Sequence, residues 1–138
     1  MWLFELCNKV VRFEDKILKR PRFIPRLRAS KGEREVERVL NKHGIRFTPQ
    51  YELGYFIHAD FAVYYRSRIH IIEYDGRQHY HPVKYFGGWR QFLIQRFRDI
   101  IENVECKDRK IPILRIRYDV PFDLIEPMIL DFLQRNNE

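Results

Sequence analysis

Residues 59–82 read ADFAVYYRSRIHIIEYDGRQHYHP. Residues 60–64 and 69–74 are rich in β-branched and aromatic side chains, so they read as two strands. Tyr65, Arg66, Ser67 and Arg68 form the turn between them. A hairpin symmetric about the Arg66–Ser67 bond sets Asp60 directly opposite Glu73, and such a pair shares one face of the sheet. Asp75, two residues beyond Glu73, falls on that face as well. A one-residue slip in register would send the two acids to opposite faces.

Three carboxylates on one patch destabilise a sheet. Two of them about 5 Å apart at an effective dielectric near 20 repel by roughly 3 kcal/mol. A shared proton, an Arg or Lys, or a divalent cation would offset this. Oxygen-only ligands suit Mg²⁺, because waters and phosphate oxygens complete its shell. The competing reading is a solvated strand face with Arg66 and Arg68 as counterions. His79 and His81 with two acids would make a poor zinc site, since no third nitrogen or sulfur ligand is at hand.

The run Glu73, Tyr74, Asp75, Gly76, Arg77, Gln78, His79 carries the pattern E-x-D-G-x-Q-H. It resembles a signature of one branch of the PD-(D/E)XK, or restriction-endonuclease-like, nuclease superfamily. That branch contains the very-short-patch-repair-type endonucleases and small phage- and virus-borne endonucleases of homing type. The likeness runs over about residues 30–118. It takes in Gly32 and Glu33 at a helix start, Asp60 between Ala59 and Phe61, Gly87 and Gly88 after Phe86, Arg98 with Asp99, and a last strand at 113–118.

The resemblance implies a Mg²⁺-dependent DNA endonuclease, with Mn²⁺ able to substitute. Asp60 and Glu73 are then direct metal ligands, Asp75 a third ligand or a water-orienting acid, and Glu33 a supporting acid. A structure- or mismatch-directed nicking nuclease on the same fold, a non-catalytic DNA-binding module and an RNA-binding protein are the alternatives. Two departures stand out. Where the commonest motif has lysine two residues after the second acid, this chain has Asp75, so Gln78, His79 or Lys84 must take over that work; His79 can act as acid or base near neutral pH. Where relatives often carry lysine three residues after Asp99, this chain has Glu102.

Glu33 also has a plainer reading. Ser30 and Glu33 form a capping-box pair opening a helix with Val36, Val39 and Leu40 on one face, and Gly44 is its stop. Glu37 shares the inward face and is the fallback for Glu33. Residues 45–53 form a first strand in which Pro49 marks an edge and Gln50 is structural. A helix follows from 89 to about 106, with Trp89, Phe92, Leu93, Phe97, Ile100, Ile101 and Val104 at helical spacing; Trp89 and Phe92 read as core. Residues 111–118 are the last strand. A capping box at Asp123 and Glu126, with Pro127 near the first turn, opens a terminal helix. A strand reached through a long helix requires parallel pairing. The expected fold is a three-layer α/β sandwich around a central mixed β-sheet, with an N-terminal helical and basic arm (1–29) packed on a nuclease domain (30–138) as one globular unit.

The 138 residues carry a net charge of +7. Lys16, Lys19, Arg20, Arg22, Arg26, Arg28 and Lys31 follow one another with no acid between them, and account for the whole excess. Phe23, Ile24 and Leu27 are interleaved, which points to an ordered arm on a polyanion. Lys84 and Arg90 are further backbone-contact candidates, with Gly87 and Gly88 letting a phosphate approach a helix start. Residues 2–18 have apolar spacing for one helix or two short ones. No apolar run nears 18 residues, so no membrane span is expected. The first residues make a poor signal peptide, and Cys7 and Cys106 form no paired motif. An intracellular, cytoplasmic setting in a prokaryotic, phage or viral context is therefore expected. A homodimer is expected of a site-specific cutter, a monomer of a nicking enzyme.

Reversing Arg22 and Arg26 to Glu should weaken DNA binding and flatten its salt dependence, because each lost phosphate contact removes a released counterion. Binding titrations at several salt concentrations check this; an unchanged slope means that the arm faces away from the nucleic acid.

Overall fold

The computed structural model describes residues 29–54 and 57–136. The expected helix over 2–18 and the arm residues Lys16, Lys19, Arg20, Arg22, Arg26 and Arg28 lie outside the described residues.

The hairpin forms in the register that its sequence implies. Strand β2 (Ile57–Tyr65) pairs antiparallel with β3 (Arg68–Asp75), with Phe61 opposite Ile72 and Tyr65 opposite Arg68. The two-residue turn has positive φ at both Arg66 (46°) and Ser67 (62°). That is the type I′ geometry whose twist matches the flanking strands, here reached without the usual glycine. Strand β1 (Arg46–Gly54) pairs antiparallel with β2 and forms one edge of the sheet, where Pro49 needs no partner for a missing N–H. Strand β4 (Ile113–Arg117) runs parallel to β3 and completes the order β1-β2-β3-β4.

Helix α1 (Lys31–Lys42) starts at Ser30, whose Oγ accepts the Glu33 backbone N–H at 3.2 Å. It stops at a left-handed Gly44 (φ 63°). Ile45 N–H returns to the Leu40 carbonyl and Gly44 N–H to that of Asn41, the bond pattern of a Schellman motif. Val36, Val39 and Leu40 are fully buried against Phe61, Val63, Ile72 and Ile116. Helix α3 (Phe122–Arg135) adds Ile125, Ile129 and Leu133 to that core. Helix α2 (Gly88–Asp108) covers the opposite face, where Ile101 and Cys106 meet Leu53, Ala59, Ala62 and Ile71. The result is a three-layer α/β arrangement around a mixed four-stranded sheet. Among the described residues no helix is long and apolar enough to cross a membrane.

Three expectations need correction. Helix α3 begins two residues early, with Pro121 at its N-cap and no side-chain cap. Asp123 thus lies inside the first turn, Glu126 pairs with Lys42 and His43 instead, and Pro127 stands within the helix. Trp89 is not core but 69 % exposed, edge-on to Phe92. With Leu93, Phe97, Ile100 and Val104 it forms an exposed stripe on α2, while Ile94, Asp99, Ile101, Glu102 and Cys106 are the buried side chains of that helix. Glu37 is exposed, so it is no substitute for Glu33, which is buried.

The start of α1 sits on the ring of Tyr74. A Cβ on Gly32 would lie 1.9 Å from the Tyr74 Cζ. Gly32→Ala should therefore displace ring or helix and destabilise the fold by about 1–3 kcal/mol, the usual penalty of overpacking. Urea denaturation of the variant beside the wild type measures it.

Candidate active site

The hairpin ladder ends at Phe61 and Ile72, and side chains take over where it stops. The Asp60 N–H donates to Glu73 Oε1, and the Tyr74 N–H donates to Asp60 Oδ2 at 2.9 Å. Each acid thus satisfies a backbone donor of the neighbouring strand that would otherwise lack its carbonyl. This fixes the two carboxyl groups side by side. Gln50, opposite Asp60 on β1 with φ at 51°, lies 3.5 Å from Asp60 Oδ1. It was expected to be structural, and it borders the acid pair.

Glu73 and Asp75 both project toward α2 and are 6 % and 2 % exposed. Between them and the helix stands Arg115, opposite Glu73 in the parallel register. Its Nη1 reaches Asp75 Oδ1 at 3.1 Å, and Nη2 reaches Glu102 Oε2 at 2.7 Å and the Asp99 carbonyl at 3.3 Å. Nε donates to Asn103 at 3.0 Å. The Tyr80 hydroxyl adds a hydrogen bond to Asp75 Oδ2 at 3.0 Å. His79, in a short 3₁₀ turn (Arg77–His79), places Nδ1 3.0 Å from Asp99 Oδ2 and 3.5 Å from Asp75 Oδ1. Gln95 donates to Asp99 Oδ1 at 3.0 Å, one turn earlier on α2.

These contacts set the protonation of the site. Burial, with the neighbouring charges of Asp60 and Glu102, raises Glu73 well above the ordinary carboxylate range. Burial also raises Glu102, against its hydrogen bond with Glu73 and the pull of Arg115. For His79, burial works against the charged form, but the hydrogen bond and charge of Asp99 outweigh it and raise the imidazole pKa. Burial likewise opposes the charge on Arg115, and Glu102, Asp75 and Asp99 more than compensate. Tyr80 is pushed up to about 12 by burial and by Asp75.

The predicted residues divide accordingly. Asp60, Glu73, Asp75 and His79 come together in one hydrogen-bonded system. Gln78 folds back over Gly76, where an added Cβ would meet its Oε1 at 2.4 Å. His81 and Lys84 are exposed. Lys31 and Arg90 are exposed at the first turns of α1 and α2. Glu33 occupies the first turn of α1, the helix that packs on the other sheet face. Arg66 stacks on Tyr65 and Arg68 donates to the Asn136 carbonyl, so neither neutralises the acids. The neutralising cation is Arg115, in the last strand. A single charge inside the apolar run of Ile113, Leu114 and Ile116 was its signal, since such a residue is rarely buried unpaired.

Among the described residues, no group of three or more His, Cys, Asp or Glu side chains is arranged to hold a metal ion. The acid pair Asp60 and Glu73 fits a divalent cation in donor chemistry, offering oxygen ligands only. The three-acid set does not fit, because Arg115, Tyr80 and His79 engage Asp75. No protein-family model, curated protein or solved structure matches the chain.

Glu73→Gln should stabilise the fold at pH 8 and change little at pH 4. The folded-state pKa of Glu73 is raised, so its favourable contribution is complete below the unfolded value near 4.5 and is lost as pH rises through the folded value. The amide removes that loss and still offers an oxygen to the Asp60 N–H. Thermal melts at the two pH values should differ by a Tm gain of about 3–5 °C at pH 8, the scale of 1 kcal/mol in a domain of this size.

Proposed function

We propose that the chain is a metal-dependent endonuclease that hydrolyses DNA phosphodiester bonds. Asp60 and Glu73 would hold Mg²⁺, with Mn²⁺ as a substitute. The observation that carries this reading is the fixed pairing of Asp60 and Glu73, each clamped to the other's strand, beside a histidine held by Asp99. A bound Mg²⁺ would supply positive charge against the phosphate as negative charge develops on it.

The chain's own residues divide the remaining work. Asp99 accepts from His79 Nδ1 and leaves Nε2 as the ring atom that takes or gives a proton. Gln95 steadies Asp99. His79 thereby does what lysine does in the commoner E-x-K motif. Asp75 pairs with Arg115 and steadies His79 through its second contact. Lys31, Lys84 and Arg90, with the basic arm Lys19, Arg20, Arg22, Arg26 and Arg28, are the candidate contacts to the DNA backbone, which position a duplex without reading its sequence.

The engagement of Asp75 by Arg115 favours a second reading, a non-catalytic DNA-binding module whose carboxylates are wholly internal. Supercoiled-plasmid conversion separates the two. Nicking or linearisation by the wild type in Mg²⁺ or Mn²⁺ should disappear with EDTA and with Asp60→Ala, and should fall by about 10²-fold or more with His79→Ala. DNA affinity of Asp60→Ala should stay equal or rise, since negative charge beside the phosphates is removed. Linear product would point to a homodimer acting on both strands, nicked product to a monomer. DNA binding without cleavage, on plasmid and on mismatched or branched substrates alike, would overturn the nuclease reading in favour of the module.

A further inference from the structure

The carboxylates of the site outnumber its cations. Asp60, Glu73, Asp75, Asp99 and Glu102 form one connected system, and its described positive members are Arg115 and, when protonated, His79. Two-metal hydrolytic sites hold their ions about 3.5–4 Å apart, one beside the attacking and one beside the leaving oxygen. Here the space between Asp75, Asp99 and Glu102 already holds a guanidinium. Each of its nitrogens is committed: Nη1 to Asp75, Nη2 to Glu102 and the Asp99 carbonyl, Nε to Asn103. The side chain is mostly buried, and a planar fork fixed at three points does not swing away without stranding a buried charge.

We propose that Arg115 is the resident cation of this site. It takes the place that a second metal would occupy, and the site accepts a single divalent ion between Asp60 and Glu73. Asp75 is then a positioning residue that holds the guanidinium, not a metal ligand. This rests on the reading of Asp60 and Glu73 as the metal pair.

Calorimetric titration with Mn²⁺ alone, without DNA, tests the assignment. The wild type should bind one ion, and Asp60→Ala none. Asp75→Asn should still bind one ion with a Kd within about three-fold of wild type, because its amide oxygen can still accept from Arg115. Arg115→Met should bind a second Mn²⁺, or one ion at least ten-fold more tightly, and its Tm should rise on adding Mn²⁺ by more than that of the wild type. Arg115→Lys should keep the single ion. Loss of Mn²⁺ binding in Asp75→Asn would make Asp75 a ligand and overturn the Arg115 assignment while leaving the metal reading intact. So would wild-type stoichiometry and affinity in folded Arg115→Met. If Arg115→Met does not fold, Asp75→Asn decides alone. Absence of any Mn²⁺ binding by the wild type would overturn both readings.

Discussion

The guanidinium of Arg115 is the contact through which sheet and helix are held together at the acidic end of the strands. It leaves β4, crosses to Asp75 on β3, and grips Glu102 and the Asp99 carbonyl on α2. Without a cation there, an acidic strand end would face an acidic helix face across a buried boundary, where like charges are least screened. A buried ion pair of this kind contributes little net stability compared with well-packed apolar groups, but its removal leaves charges stranded. Arg115 therefore acts mainly on geometry. It dictates how α2 sits on the sheet and so where His79 and Asp99 meet.

The hairpin supplies the second constraint. Its turn spans only Arg66 and Ser67, both in the left-handed region, so the register cannot drift without losing the twist match. Asp60 and Glu73 are thereby forced together one step beyond the last regular pair. The fold resolves the conflict in two ways. It uses each carboxylate as the acceptor for a neighbouring strand's N–H, and burial raises the Glu73 pKa well above the ordinary carboxylate range. Polar groups that would weaken an ordinary sheet here close its ladder.

Much of this was legible in the residues. The turn at Arg66 and Ser67, the parallel last strand, the edge position of β1 and the helix from Ser30 to Gly44 follow from local chemistry: symmetry of a short turn, the need for a crossover, a proline, a cap and a stop. The facing acids were legible because a period of two leaves no freedom once the turn is fixed. What the chain order hid was the long-range partner. Arg115 lies 42 residues from Glu73, and no local rule joins them; only the parallel register brings them opposite. Trp89 misled for the opposite reason. Periodicity places an apolar stripe on a helix without saying which side the sheet covers, and in α2 the buried side joins Asp99 and Glu102, gathered about Arg115, to Ile94, Ile101 and Cys106. The start of α3 was hidden by competition: Glu126 satisfies Lys42 and His43 rather than a capping box.

The parallel pairing of β3 with β4 also has a consequence for how the site comes into being. Everything up to the end of α2 is joined by neighbours in sequence: a hairpin, its edge strand, a helix. The acids and the histidine belong to that part. Their counter-cation arrives only with β4, after a crossover that must close a long loop before it gains any contact. During synthesis, which delivers the N-terminal part first, the growing chain carries an unneutralised acidic centre until the residues of β4 emerge. The site is therefore completed late, and the step that neutralises it is the same step that finishes the sheet.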